Sequence, residues 1–426
     1  MKGDAMKIAI FGLGYVGLTG AGCLLKEGHT IIGVEPNEEK ARIIASGRTP
    51  IYEPGLDDLL NAGLKEGRFS VLQKADETLV DCDLAIVCVG TPSAPDGSHN
   101  MTYIAEVSRQ IAMVLKEKGG ARRLTVVYRS TIRPGSIDML IAPIFKSILG
   151  SANLAKVELV YNPEFLRESM AIKDYFNPPK IVIGTENGEP CATMTELYKN
   201  IQAPLFVTGY REAEITKFVD NTFHAVKVTF ANEIGRVCMK LGVDPRKVHE
   251  IFVADTKLNI SPYYLRPGGA FGGSCLPKDV RALNYLSEDV GANNHLVDSL
   301  IRSNEAHKRF LFDYCVEGLD KDAKVLLVGL AFKAESDDLR ESPQLDLARK
   351  LLQAGFALSI YDPTIHPDQL MGQNLGYTYS VLPSLSDLLV SRETAEGETY
   401  AVVIDSNGKA GTLTLKYDRM VDVNRL

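Results

Sequence analysis

The chain has 426 residues, 45% hydrophobic and 24% charged, a balance that suits two or three globular domains with full cores. A net charge of −7 excludes a general nucleic-acid surface, though not a local basic pocket for a phosphorylated ligand. Seven scattered cysteines with no CxxC pair fit neither a disulfide framework nor a zinc site, so no metal is expected. No apolar run approaches the roughly 18–20 residues that span a membrane, and Met1-Lys2-Gly3-Asp4 does not open a signal peptide. The expected setting is a reducing cytoplasm, with no membrane and no nucleic-acid partner.

Lys7–Phe11 reads as a buried strand, followed by strand candidates at Thr30–Val34, Leu84–Val89, Leu124–Tyr128, Glu158–Tyr161 and Lys180–Gly184. Short apolar runs alternating with helical stretches predict a parallel α/β sheet over residues 1–210. From Arg211 to about Leu241 no proline intervenes, which predicts one long helix, and helical segments continue to Val316. The α/β style returns with Lys324–Gly329, Ala357–Tyr361, Tyr400–Ile404 and Met420–Val423. The expected architecture is α/β, with two doubly wound Rossmann-like domains, 1–210 and 317–426, joined by a helical domain over 211–316. Both α/β segments carry a helix ended by glycine, then a strand ending at an acid before proline: Gly28 with Glu35-Pro36, and Gly355 with Asp362-Pro363. Common βαβ grammar and duplication explain this equally well.

Gly12-Leu13-Gly14-Tyr15-Val16-Gly17 follows the first strand and opens a helix. Glycines there let backbone N–H groups approach a pyrophosphate at a helix N-terminus. Glu35, ending the second strand, is placed to accept hydrogen bonds from ribose hydroxyls and to repel a 2′-phosphate, which favours NAD over NADP. Lys40 nearby softens that preference.

The most informative stretch is Phe271-Gly272-Gly273-Ser274-Cys275-Leu276-Pro277-Lys278-Asp279. Pro277 suits the first turn of a helix, so Cys275 falls at its N-terminus, beside Lys278. Both the dipole and the cation favour a thiolate, and Asp279 is near enough to orient water or a base. The other six cysteines lie in apolar strands and helices and read as core. On the long helix, Ile215, Val219, Phe223, Val226, Phe230 and Val237 gather on one side, with Lys217, Asn221, His224 and Asn232 opposite and Val228 among them. One cation, two amides and a histidine resemble the wall of a site more than a solvated face. Arg129-Ser130-Thr131 and Asn162–Glu168 follow strands, which puts the carboxylates Glu164 and Glu168 at the edge where open α/β sheets bind ligands. Tyr263, Tyr264 and Arg266 supply stacking rings and a phosphate-pairing guanidinium, and Lys333 and Asp337–Pro343 add charge after the first strand of the last segment.

Phe11–Gly17, Gly90-Thr91-Pro92, Asn162–Glu168, Gly272–Asp279 and Asp337–Pro343 together resemble the UDP-glucose/GDP-mannose dehydrogenase family over essentially the whole chain. The stretch His224–Gly235, Ala171–Tyr175 and the Tyr263–Gly269 loop resemble its GDP-mannose branch. The resemblance implies an NAD domain, a helical dimerisation domain and a nucleotide-sugar domain. It also implies a homodimer whose sites borrow Tyr263, Tyr264 and Arg266 from the partner subunit. It implies Tyr15, Val16, Glu35, Lys40, Thr91, Thr131, Lys278 and Arg340 at NAD, and Glu168, Lys217, Asn221, His224, Asn232, Gly269 and Lys333 at the sugar nucleotide. Glu35 departs from the aspartate usual there, and Asp405–Leu426 matches poorly.

The expected chemistry is four-electron oxidation of a primary alcohol, C6 of a nucleotide-activated sugar, through a thiohemiacetal and thioester on Cys275. Lys217 and Asn221 are expected to stabilise oxyanions, and Asp279, Glu164 and Thr131 to hold water or relay protons. A UDP-sugar substrate is the alternative to GDP-mannose. A two-electron β-hydroxyacid dehydrogenase would share the Lys-x-x-x-Asn helix but needs neither the thiol nor a third domain. A non-catalytic NAD sensor is the rival outside enzymes.

Overall fold

The computed structural model describes residues 5–92, 100–119, 122–167, 169–261, 268–273, 276–331 and 337–424. These form two compact units, Met1–His224 and Ala225–Leu426.

The first unit is built on eight strands: β1 Lys7–Phe11, β2 Thr30–Val34, β3 Phe69–Leu72, β4 Leu84–Val87, β5 Leu124–Tyr128, β6 Val157–Tyr161, β7 Ile181–Thr185 and β8 Leu205–Gly209. Their order is β3-β2-β1-β4-β5-β6-β7-β8. The first six follow the dinucleotide-binding order, with the reversal of strand order between β1 and β4 that opens a ligand crevice at the strands' C-terminal ends. Alternation sends Ile8 and Ile10 into one apolar cluster with Leu18, Leu24 and Ile183. It sends Ala9 and Phe11 into the cluster on the other face with Val87, Ile111, Tyr128 and Phe145. Both faces being covered explains why the central strands are continuous apolar runs. The sheet is parallel through β6. There β7 pairs antiparallel, Tyr161 opposite Gly184, and β8 follows β7 in parallel.

The long helix runs Tyr210–Lys240. In the second unit, helices Leu276–Asp289 and His295–Val316 precede four parallel strands: β9 Lys324–Val328, β10 Ala357–Tyr361, β11 Thr399–Asp405 and β12 Lys416–Asp422, in the order β10-β9-β11-β12. Buried Glu233 of the long helix caps His295–Val316, accepting the N–H of Leu296 at 2.8 Å and of Val297 at 3.1 Å.

The shared glycine–acid theme has a common geometry. Gly12 at φ 86° donates to Val34 O at 2.8 Å, and Gly329 at φ 89° donates to Tyr361 O at 3.0 Å. The next residue in each case, Leu13 or Leu330, donates its N–H to the acid, Glu35 or Asp362, at 3.2 and 2.8 Å. In both turns the acid fastens the loop over the end of its strand.

Candidate active site

The glycine loop is built for a close approach of backbone. A side chain at Gly17 would collide with the Gly12 carbonyl oxygen, and one at Gly12, already left-handed, would press within 3.0 Å of the Cys88 oxygen. The helix that opens at Tyr15 after Gly14 has no side-chain cap, so its first N–H groups point to the crevice end of β1. Tyr15, Val16 and Gly14 are half-buried there. Glu35 is buried at the end of β2. Its carboxylate accepts from Leu13 N and Asn37 N, both at 3.2 Å, and holds Lys40 Nζ at 2.7 Å. Thr91 donates its hydroxyl to the Thr131 carbonyl at 2.8 Å, so two residues from separate strand ends meet. This cradle, with its acid, fits a dinucleotide whose ribose hydroxyls face a carboxylate.

Lys217 is 9% exposed and ends at the loop after β6: Nζ donates to Glu164 O at 2.7 Å and pairs with Glu164 Oε1 at 2.9 Å. Glu164 Oε2 accepts Leu166 N at 2.7 Å, so the carboxylate is fixed on both sides. The Phe165 ring lies 5.6 Å from Lys217 Nζ and 4.6 Å from Lys180 Nζ. Lys180 is in turn held by Asp220 at 2.7 Å. Glu164, Arg129, Asn162 and Tyr198 line a cavity of about 30 Å³, room for one water. Asn221 and His224 lie exposed on the same helix, and Asn232 is exposed further along it.

In the second unit, a helix does begin at Leu276 with Pro277 in its first turn. Lys278 and Asp279 pair with each other at 3.0 Å on an exposed surface. Arg340 forks onto Asp338 at 2.8 and 2.7 Å, and Gly269 lies beside Lys308, Pro343 and Gln344 at a small cavity. Cys275, Glu168, Tyr263, Tyr264, Arg266 and Lys333 lie outside the described residues. Of the other cysteines, Cys23, Cys82, Cys191, Cys238 and Cys315 are buried and Cys88 is half-buried. Desolvation pushes the thiols of Cys23, Cys88 and Cys315 up to about 12 and that of Cys82 to about 11. These four stay protonated and unreactive at neutral pH. Among the described residues no cluster of three or more potential metal ligands occurs, and no helix is long and apolar enough to cross a membrane.

The structure adds residues that local patterns do not signal. The Tyr15 hydroxyl donates to buried Glu53 and accepts the N–H of Ser169 at 2.8 Å, while Glu53 also accepts Ile172 N at 3.2 Å. Glu214, one turn before Lys217, is fully buried and accepts from Gly135 N and Ile137 N. Their partners lie between 38 and 154 residues away, beyond any local signature.

Three family models match in succession: the NAD binding domain of the UDP-glucose/GDP-mannose dehydrogenase family over residues 6–202, its central domain over 211–306 and its UDP binding domain over 326–395. The chain is 44% identical to the GDP-mannose 6-dehydrogenase of Pseudomonas putida over 384 residues, covering 90% of this chain and 87% of that protein. It is 32% identical to a UDP-glucose 6-dehydrogenase of Bacillus subtilis over 380 residues, 88% of this chain and 84% of that protein. Among solved structures, the GDP-mannose dehydrogenase of Pseudomonas aeruginosa, in a ternary complex, superposes with a TM-score of 0.88 at 42% identity, covering 95% of this chain and 92% of that one. The glycine cradle with its buried acid, the doubly wound order and these matches agree: the chain belongs to the UDP-glucose/GDP-mannose dehydrogenase family and is an NAD-dependent nucleotide-sugar dehydrogenase.

Proposed function

We propose that the chain oxidises the C6 alcohol of GDP-mannose to the carboxylate of GDP-mannuronate, with Cys275 as nucleophile. The sugar choice is supported by the gap between 44% and 32% identity to the GDP-mannose and UDP-glucose relatives. The observation that carries the reaction type is Lys217: a nearly buried ammonium clamped by Glu164 at the ligand edge of the sheet.

Gly12, Gly14, Gly17, Tyr15, Val16, Glu35, Lys40, Thr91 and Thr131 would hold NAD from residues 1–210, with Lys278 and Arg340 contributing from later segments. When bound, NAD supplies the hydride acceptor, one at each of two oxidation levels of C6. The chain's own groups do the rest. The Cys275 thiolate forms a C–S bond to the aldehyde carbon, giving a thiohemiacetal. After the second oxidation that bond joins a thioester, and water breaks it, returning the thiolate and releasing the carboxylate. Lys217 and Asn221 donate hydrogen bonds to the oxygen on which negative charge develops. Glu164, Thr131 and Asp279 hold water and move protons. Glu168, His224, Asn232, Gly269 and Lys333 bind the sugar nucleotide, with Tyr263, Tyr264 and Arg266 supplied by the partner subunit of a homodimer. Exposure of Ile215, Val219, Phe223 and Val226 along one helix supports self-association, since apolar stripes of that kind mark contact surfaces. The three-part division, 1–210, 211–316 and 317–426, belongs to the same proposal.

The test is NADH formation with GDP-mannose and UDP-glucose at equal concentration. GDP-mannose is expected to turn over faster; faster turnover of UDP-glucose would move the chain to the sister activity.

A further inference from the structure

Three charged side chains spaced three residues apart, Glu214, Lys217 and Asp220, open the long helix, and each ends on a different segment of the first unit. Steps of about 100° per residue keep them on adjoining parts of one helix face. Lys217 ends on Glu164 at 2.9 Å and Asp220 on Lys180 at 2.7 Å. Glu214, 0% exposed, grips the stretch that follows Thr131, accepting Ile137 N at 3.0 Å on Oε1 and Gly135 N on Oε2. A carboxylate buried without a cation on it is costly unless hydrogen-bonded, and the two N–H groups offset that cost. Desolvation raises its pKa and the two N–H groups pull it back, while the Asp138 charge raises it and the Arg211 charge lowers it. No step of the reaction uses this group.

We propose that Glu214 is a positioning residue: it fastens the segment after Thr131 to the helix that carries Lys217, so the two keep a fixed separation. Thr131 also receives the Thr91 hydroxyl at 2.8 Å, so the grip extends to the strand end before it. The inference rests on the roles given above to Thr131 and Lys217.

Glu214→Gln tests it, because it preserves shape and one acceptor oxygen but turns an NH2 toward a backbone N–H. The expected result is about tenfold faster amide exchange in peptides spanning 131–141, with NADH affinity, read by its fluorescence, weakened about tenfold. Nucleotide-sugar KM should change less than twofold while kcat falls about tenfold. Adding Thr131→Ala should make the Glu214→Gln loss smaller than in the parent. If Glu214→Gln does not accumulate as folded protein, Glu214→Asp, whose oxygens are retracted by one methylene, carries the same expectations. Unchanged NADH affinity and kcat, or losses strictly additive with Thr131→Ala, would overturn the proposal. A parent enzyme inactive on every nucleotide sugar would instead sink the functional reading, while exchange and NADH affinity still decide the role of Glu214.

Discussion

Lys40 Nζ sits 2.7 Å from Glu35 Oε2, and the same carboxylate ties down the N–H of Leu13 in the glycine turn. Glu35 therefore shapes the cofactor turn and sets the local sign of charge. With Glu35 in place, Lys40 is neutralised and a 2′-phosphate meets a carboxylate. In Glu35→Ala the same lysine becomes a free cation that attracts that phosphate. The ratio of kcat/KM for NAD over NADP is expected to fall by roughly tenfold to a hundredfold, the equivalent of about 1–3 kcal/mol. Comparable kcat/KM for both cofactors in the parent would already count against the assignment.

Two NADH are expected per sugar consumed, because on the proposed route the Cys275 thiol carries the aldehyde to the acid level without release. Cys275→Ala should lower complete oxidation by several orders of magnitude while leaving NADH binding within about twofold. Quantifying NADH against residual sugar nucleotide checks this; a ratio of one, with aldehyde accumulating, would reject the thioester route.

Arg167 forks onto Asp174 through Nε at 2.9 Å and Nη2 at 2.7 Å, and its backbone N–H adds a third bond at 3.0 Å. The Arg167 guanidinium holds the Asp174 carboxyl below its ordinary 3.8. A depressed carboxyl stabilises the fold above its unfolded pKa, and that contribution is lost as pH falls through the folded value. Arg167 is largely exposed, so screening limits the ionic part and the part-buried backbone bond matters more. Asp174→Asn should lower Tm by about 2–4 °C at pH 7, and the difference should shrink steadily as pH falls below the ordinary carboxyl value of 3.8 and through the depressed folded one. An equal deficit across that range would show that packing rather than charge is at stake.

The proposed sharing of the site across a homodimer predicts complementation. Inactive Cys275→Ala and inactive Arg266→Ala chains, mixed and refolded, should recover activity. One site of each mixed dimer would then combine an intact thiol with an intact borrowed Arg266. With mixed dimers confirmed by mass, absence of recovery would put Arg266 in its own subunit's site or outside any site.

Interior strands were readable from their apolar runs because both faces are buried. Lys7–Phe11, Thr30–Val34 and Leu124–Tyr128 coincide with expectation, as does the edge strand Ala357–Tyr361 of the smaller sheet, and others shift by one to four residues at an end. The two strands that sequence reasoning passed over, β3 and β8, are the two edges of the large sheet. Ser70 is exposed, as are Leu205 and Phe206, so neither strand needs the run that betrays a central one. The site divides in the same way. Glycine turns and an acid ending a strand have local causes, so Gly12, Gly17 and Glu35 could be read directly. Glu214, Glu53 and Asp220 look like any acids, and only folding reveals what they hold.

The reversal at β7 has a consequence for the ligand edge. A connection between parallel strands must leave that edge and travel back to the other end of the sheet, spending most of its length away from the crevice. Since β7 runs antiparallel to β6, residues 162–167 and 169–180 lie in a connection that leaves and re-enters at one end. That is how one connection delivers Glu164, the Phe165 ring, the Ser169 N–H and Lys180 to a single rim. A substitution in that stretch therefore acts at the ligand edge directly, without passing through the register of the six parallel strands.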